Sequence, residues 1–434
     1  MSPNRAFYNH PTVQTFILEP HSYIVNSGPG NFDVYPKKVE QSMPQPRIST
    51  FSIPNVRLFI AFKVFFNSRF YYPVFTILFL DFGLSVAQFA LLNAAWAATI
   101  VLAEVPSGAL ADIVGRKRLL VFATFVMIVE IGIIAFVPIL GNTFIFMVFL
   151  ANRILSGLAE AAASGADEAI AYDSLAAQGD KEQWGRVLEV LTRCQSIGFI
   201  IAMTVGAAIY DPQLLGTICK SLGIHVTLTQ ETTMRFPLYL TFCLAVCAFI
   251  TTLRMTDPRG QESSAEADAH PVKNAFALTF KAGGWILKTP FALSVILFGM
   301  LFDGIIRMVI TLSSQYYRMI ELPEAVFGLI GALVAGLGFI IPKTAREIAE
   351  TRSSGTGLWL TALLTVTGLV TMSRFWPYAG LIPALITFAA MYFNGFFVSF
   401  HINKVAASDQ RATVLSFKGL SYNISYGLLG ILYA

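Results

Sequence analysis

Within "ANRILSGLAEAAASGAD", Arg153, Gly157, Glu160, Ser164 and Asp167 recur at spacings of four, three, four and three residues. On a helix this spacing lays all five on one face, a polar stripe in an otherwise apolar segment. Arg69, Glu130, Asp303 and Arg307 likewise interrupt apolar stretches. Two chemistries suit such residues. A guanidinium grips a carboxylate or phosphate through paired hydrogen bonds, and a carboxylic acid withdrawn from water can hold and release a proton near neutral pH. Arg69, Arg153, Glu160, Asp303 and Arg307 are therefore the candidates to bind a substrate or carry a proton, with Glu130 ranked behind them. The plainer alternative is mutual pairing, as ionisable groups in apolar segments often do: Glu160 with Arg153, Asp303 with Arg307, and Glu130 or Asp81 with Arg69.

These residues need elements to hold them. The chain is 55% hydrophobic and only 13% charged, with 37 Phe among its 434 residues. Soluble domains carry about 25% charged residues, so most of this surface faces lipid. A membrane helix needs about 20 apolar residues. That ruler finds eleven spans, near 56–80, 86–107, 119–140, 143–166, 186–210, 235–254, 291–316, 324–345, 357–373, 377–400 and 414–434. The fold class is all-α and polytopic. With the N-terminus in the cytoplasm, 21 Lys and Arg fall in inside segments and four outside, as the positive-inside rule demands.

Sliding the chain by 238 residues lays "SRFYYPVFTILFLDFGLSVAQFALLNAAWA" over "IRMVITLSSQYYRMIELPEAVFGLIGALVA", with Arg69 on Arg307 and Leu84 on Leu322. An internal repeat predicts two pseudo-symmetric bundles whose arginines face one another across a centre. The expected divisions are a polar extension over 1–55, a six-span bundle over 56–254, a cytoplasmic connecting loop over 255–290 and a second bundle over 291–434. The second bundle shows five spans where the repeat calls for six, so this reading expects a sequence cut short of a twelfth helix. Residues 1–42, ahead of Met43, read as a tail or an early start.

Between the second and third spans lies "EVPSGALADIVGRKR". Gly108 would let two helices approach closely, Asp112 can accept charge-assisted bonds from Arg116, and Gly115 supplies a backbone geometry that side chains resist. Here the chain resembles the major facilitator superfamily, whose signature loop reads G-x-x-x-D-x-x-G-R-[KR]; "EVPSG" is similar to its bacterial branch, and "ANRILSGLAEAA" to its R-x-x-x-G motif. The resemblance implies two six-helix pseudo-repeats around a cavity that opens to each side in turn. Gly108, Asp112, Gly115, Arg116 and Lys117 would form a gating latch, with Asp167, Glu168 and Asp173 as its partners. The family's fifth-helix antiporter signature is half present: "GFIIAMTVGAAI" has Gly198 and Gly206 but no proline.

Other functions find little support. There is no G-x-S-x-G, H-E-x-x-H or P-loop; the five His are scattered, and the four Cys have no metal-binding spacing. Cys243 and Cys247, at i and i+4, are expected in a helix core. The reading is thus a secondary transporter, not an enzyme, with no cofactor or metal and no nucleic-acid partner. It is a monomer in the plasma membrane that moves a small solute, coupled to protons, by export in preference to uptake. The alternatives are an organic-anion exchanger or uptake permease built on Arg69 and Arg307, and a membrane receptor that binds without transport.

Overall fold

A computed structural model describes residues 23–25, 34–36, 50–178, 183–224, 226–258, 271–406 and 411–434. The chain forms two units, residues 1–49 and 50–434. In the first, β1 (Tyr23–Val25) pairs antiparallel with β2 (Val34–Pro36), Ile24 opposite Tyr35. The polar extension thus holds a short ribbon that its composition does not announce.

The second unit is a helical bundle. The first crossing is split into α1 (Pro54–Asn67) and α2 (Phe75–Asp81). Pro73 lies in the intervening turn, where its missing N–H and its ring forbid a continuous helix. There follow α3 (Val86–Val114), α4 (Arg116–Ala135), α5 (Asn142–Ala163), α6 (Ala166–Ala177) and α7 (Trp184–Tyr210). A reciprocal capping box between Ser85 and Gln88 starts α3. Gly165, left-handed at φ 77°, breaks the fourth crossing into α5 and α6 and so puts Asp167 in a new helix rather than on the Arg153 stripe. Short α8 (Pro212–Ser221) and α9 (Gln230–Thr233) lead to α10 (Phe236–Arg254). Cys243 and Cys247 are exposed on α10, not packed in a core as expected.

The connecting loop also differs from expectation, because 271–288 is a helix, α11 (Pro271–Lys288), packed against α3. Next come α12 (Pro290–Thr311) and α13 (Ser313–Met319), then α14 (Phe327–Thr351), α15 (Ser354–Met372), α16 (Leu381–Val405) and α17 (Arg411–Tyr433). No proline divides α12 from α13. Thr311 Oγ1 bonds instead to the Arg307 carbonyl one turn back, a contact that bends helices.

Nine helices among the described residues are long and apolar enough to cross a membrane. The divided α1–α2 and α17 occupy the other two of the eleven expected spans, but neither is among those nine. The halves meet along α3 with α17 and α7 with α14. Gly328 allows the second contact: a Cβ there would stand 2.2 Å from the Met203 carbonyl oxygen. Inside the first half, Phe79 sits edge-on to Phe89 and Phe149, with ring centres 5.0 and 4.6 Å away.

Candidate functional site

Arg69 lies in the turn between α1 and α2, 3% exposed. Its Nη1 donates to Glu130 Oε1 at 2.7 Å and to the Tyr71 hydroxyl at 2.9 Å. Glu130, on α4, is fully buried and accepts a second bond at Oε2 from Asn152 Nδ2 at 2.7 Å. Asn152 Oδ1 in turn accepts from Arg153 Nε at 3.1 Å. A chain of bonds therefore runs Arg69, Glu130, Asn152, Arg153 across three crossings. Glu130, ranked behind the other candidates, is the counter-ion of Arg69, one of the two partners the sequence offers for it.

Arg153 has no carboxylate within ion-pairing distance among the described residues. Its guanidinium lies over Phe75 and Phe79, 5.3 and 5.6 Å from the ring centres. The alternative pairing of Glu160 with Arg153 does not form; Glu160 is exposed, two turns further along α5. In the second half, Arg307 Nη2 is 2.6 Å from Asp303 Oδ2 and Nη1 donates to Asn423 Oδ1 at 2.9 Å. Arg69, Arg153, Glu160 and Arg307 line one cavity of about 180 Å³, with Trp96 and Tyr426 in its wall. Asp303 stands behind it, holding Arg307. The fold thus gathers residues from both repeats at one point, while two of the three arginines already carry a carboxylate partner.

The loop around Gly115, between α3 and α4, lies at one end of the bundle. Gly115 takes φ 95°, in the region that favours glycine. Gly108 is exposed, and a Cβ there would meet nothing within 4 Å, so the close approach expected of it is not made. The Asp112 side chain lies outside the described residues. Arg116 Nη1 donates to Asp173 Oδ2 on α6 at 2.7 Å. Arg116, Lys117 and Arg118 crowd the first turn of α4, where the helix dipole disfavours cations; the Asp173 carboxylate offsets this. Of the three expected latch partners, Asp173 alone bonds the loop among the described residues. Asp167, 1% exposed, is 2.6 Å from Lys63 Nζ on α1, and Glu168 is 4.0 Å from the same ammonium. The Arg116–Asp173 bond stays within the first half.

An ion-paired contact between the halves lies at the opposite end, where the sequence offered Asp81 only as a partner for Arg69. Arg318 on α13 grips Asp81, at the end of α2, through two bonds of 2.9 and 3.0 Å. It also bonds Glu324. Burial pulls the Arg318 pKa down, but the Asp81 and Glu324 carboxylates outweigh it and leave the group raised. Gln230 Nε2 donates to Asp81 Oδ2 at 3.2 Å, and the Tyr210 hydroxyl bonds the same carboxylate. A few residues inward, Ser314 Oγ accepts from the backbone N–H of Thr76 at 3.0 Å and of Ile77 at 3.3 Å. These are first-turn groups of α2 that the break before the helix leaves without a partner of their own. Arg318 had been legible only as one of four basic residues outside.

The comparisons agree with this geometry. The sequence pattern of the Major Facilitator Superfamily matches residues 57–430. The chain belongs to that superfamily. No curated protein matches it by sequence. Among solved structures this superfamily member is similar to the nucleoside transporter NupG, with a TM-score of 0.65 at 13% identity over 89% of this chain and 90% of that one. A bacterial homologue of the human lysosomal transporter Spinster, inward-facing and unoccupied, gives 0.63 at 14% identity over 89% and 82%. The partially occluded, inward-open xylose transporter XylE from E. coli gives 0.58 at 11% over 88% and 90%. At such identities the likeness carries the fold, and the superfamily member is a multi-pass membrane protein of a transporter family.

Proposed function

We propose that this protein is a proton-coupled secondary transporter that carries a small solute by alternating access, as a monomer in the plasma membrane. The observation that carries the reading is the cavity lined by Arg69 and Arg307, residues from equivalent places in the two repeats, lying between halves that are clamped at one end. The excess of basic residues on one side supports a cytoplasmic position for the 115–118 loop. Asp81 and Arg318 then shut the outer side, and the cavity faces inward.

Glu160 is the proton carrier in this reading. It lines the cavity and pairs with no described cation, whereas Glu130 and Asp303 each hold an arginine. Those two ion pairs also count against a bare anion clamped by Arg69 and Arg307, because each guanidinium already holds a carboxylate. The Gly115 turn and the Arg116–Asp173 bond set the geometry of the inner gate, with Asp112 as the group that meets the second half when the inside closes.

The test is flux in proteoliposomes. Saturable counterflow of a tracer solute that responds to an imposed pH gradient is the expected result. Ligand binding with no flux under any gradient overturns it in favour of a receptor.

A further inference from the structure

The polar cavity is not alone. Tyr72, Phe75 and Thr311 form one of its walls, and the same three residues line a second cavity of about 330 Å³ on the other side. The character changes across that wall. The second chamber is faced by Phe199, Met203, Ile310, Phe327, Val334 and Met391, with no charged side chain. It continues past Phe199 and Tyr392 into a third cavity of about 600 Å³ between α7 and α14. The two helices touch near Gly328 and part further along. A Cβ on Gly328 would collide with the Met203 backbone, while one on Gly336 meets nothing within 4 Å. The rim of this wedge carries Ile200 and Phe339, which are exposed.

The polar chamber has its own signature. The Arg69 and Arg307 charges are neutralised within the protein at 2.7 and 2.6 Å. What remains is Arg153, 95% buried by its 5% exposure, and Glu160. Arg153 lines the chamber, and among the described residues its side chain bonds the protein only through Nε, which leaves its terminal amino groups without a protein acceptor there. Glu160 has no described partner. One free cation and one free anion on a single helix face, seven residues or about 10 Å of rise apart, ask for a ligand with both charges. Arg153, the buried one of the two, is costly until it is paired.

We infer that the substrate is an amphiphile: a zwitterionic head lies in the polar chamber, its anion on Arg153 and its cation on Glu160, and its apolar body extends past Tyr72 and Phe75 into the Met203–Phe327 chamber. The inference rests on the transporter reading for its physiological meaning, but not for its test. The aromatic wall suits this arrangement, since Trp96 lines the chamber and an indole attracts a quaternary ammonium, while the Tyr426 ring already lies under Arg307, 5.5 Å from its centre.

The experiment is equilibrium binding to the full chain in nanodiscs, read by tryptophan fluorescence, with each probe kept below its micelle-forming concentration. The probes are dodecyl sulfobetaine, dodecyl sulfate, dodecyltrimethylammonium and the sulfobetaine head without its chain. Dodecyl sulfobetaine is expected to bind about tenfold more tightly than each of the other three. Arg153→Gln should erase its advantage over the cationic probe and Glu160→Gln its advantage over the anionic one. Met391→Gln should weaken only the probes that carry a chain. Equal binding by the chainless head, or by either singly charged amphiphile, overturns the proposal. The comparison among probes on the unaltered protein decides the matter even if a variant fails to fold. Binding with this preference but no counterflow removes the transporter reading and keeps the site. Counterflow of polar solutes without the preference does the reverse.

Discussion

Ser314 Oγ accepts the backbone N–H of Thr76 at 3.0 Å, and the two residues stand 238 positions apart. That is the offset that lays the second half of the sequence over the first. A residue that touches its own repeat equivalent must sit on the pseudo-two-fold axis. Thr76 and Ser314 therefore mark that axis, and Arg69 and Arg307, related by the same offset, face one cavity beside it. The contact is also asymmetric in chemistry: a side chain of one half caps a helix start of the other.

Ser314→Ala removes that cap. The loss should be about 1 kcal/mol of stability, the usual cost of deleting an N-cap hydroxyl. A lowered melting temperature with unchanged membrane insertion is expected, and a cysteine placed at Tyr72 should label faster from outside. An unchanged melting temperature and labelling rate would show that the bond carries no load.

Arg318→Lys keeps the charge at the outer closure but loses the fork that holds Asp81 and Glu324 together. Because Arg318 is about one third exposed, its loss should bias the closure by only about 1–2 kcal/mol. Outside labelling of the Tyr72 cysteine should rise and flux should fall. The double exchange Asp81→Arg with Arg318→Asp should recover part of the flux; no recovery would point to Glu324 as the partner that matters.

Glu130→Ala strands Arg69 in a fully buried site, and breaking such a pair costs roughly 3–5 kcal/mol. Poor expression or early thermal unfolding is expected. Adding Arg69→Met should restore much of the stability without restoring transport, which detergent-stability and flux assays read separately. Arg69→Lys, which keeps the charge but not the geometry, should impair flux.

Glu160→Gln should abolish the response of flux to a pH gradient, while counterflow persists at lower affinity for the solute. Persistence of that response would clear Glu160 of the proton and turn attention to Asp303.

Asp173→Asn should weaken the hold on Arg116 at the inner loop and slow flux, with insertion unaffected because the basic cluster remains. Asp112→Asn should cripple flux in the same background. Normal flux in both would leave the loop as a topology anchor alone.

The sequence by itself determined the class and the skeleton of this protein. Apolar length, basic asymmetry, a repeat offset and one charged loop act locally or by counting, so they survive without coordinates. Membrane thickness reads the first, the translocation machinery the second, and Gly115 can be recognised wherever a chain must turn with φ above zero. The tertiary structure alone decided which charges are free. Sequence spacing set Glu160 beside Arg153 on one helix, yet Arg153 turns to Asn152 and two phenylalanine rings. The sequence offered Glu130 or Asp81 as the partner of Arg69, and only the fold chose Glu130, buried against it. Asp81, offered by the sequence as a partner for Arg69, instead meets Arg318, 237 residues away, a pairing made only when the halves folded together. Pairing depends on distances of a few ångströms between helices, and no periodicity along one helix encodes how far away the next one stands.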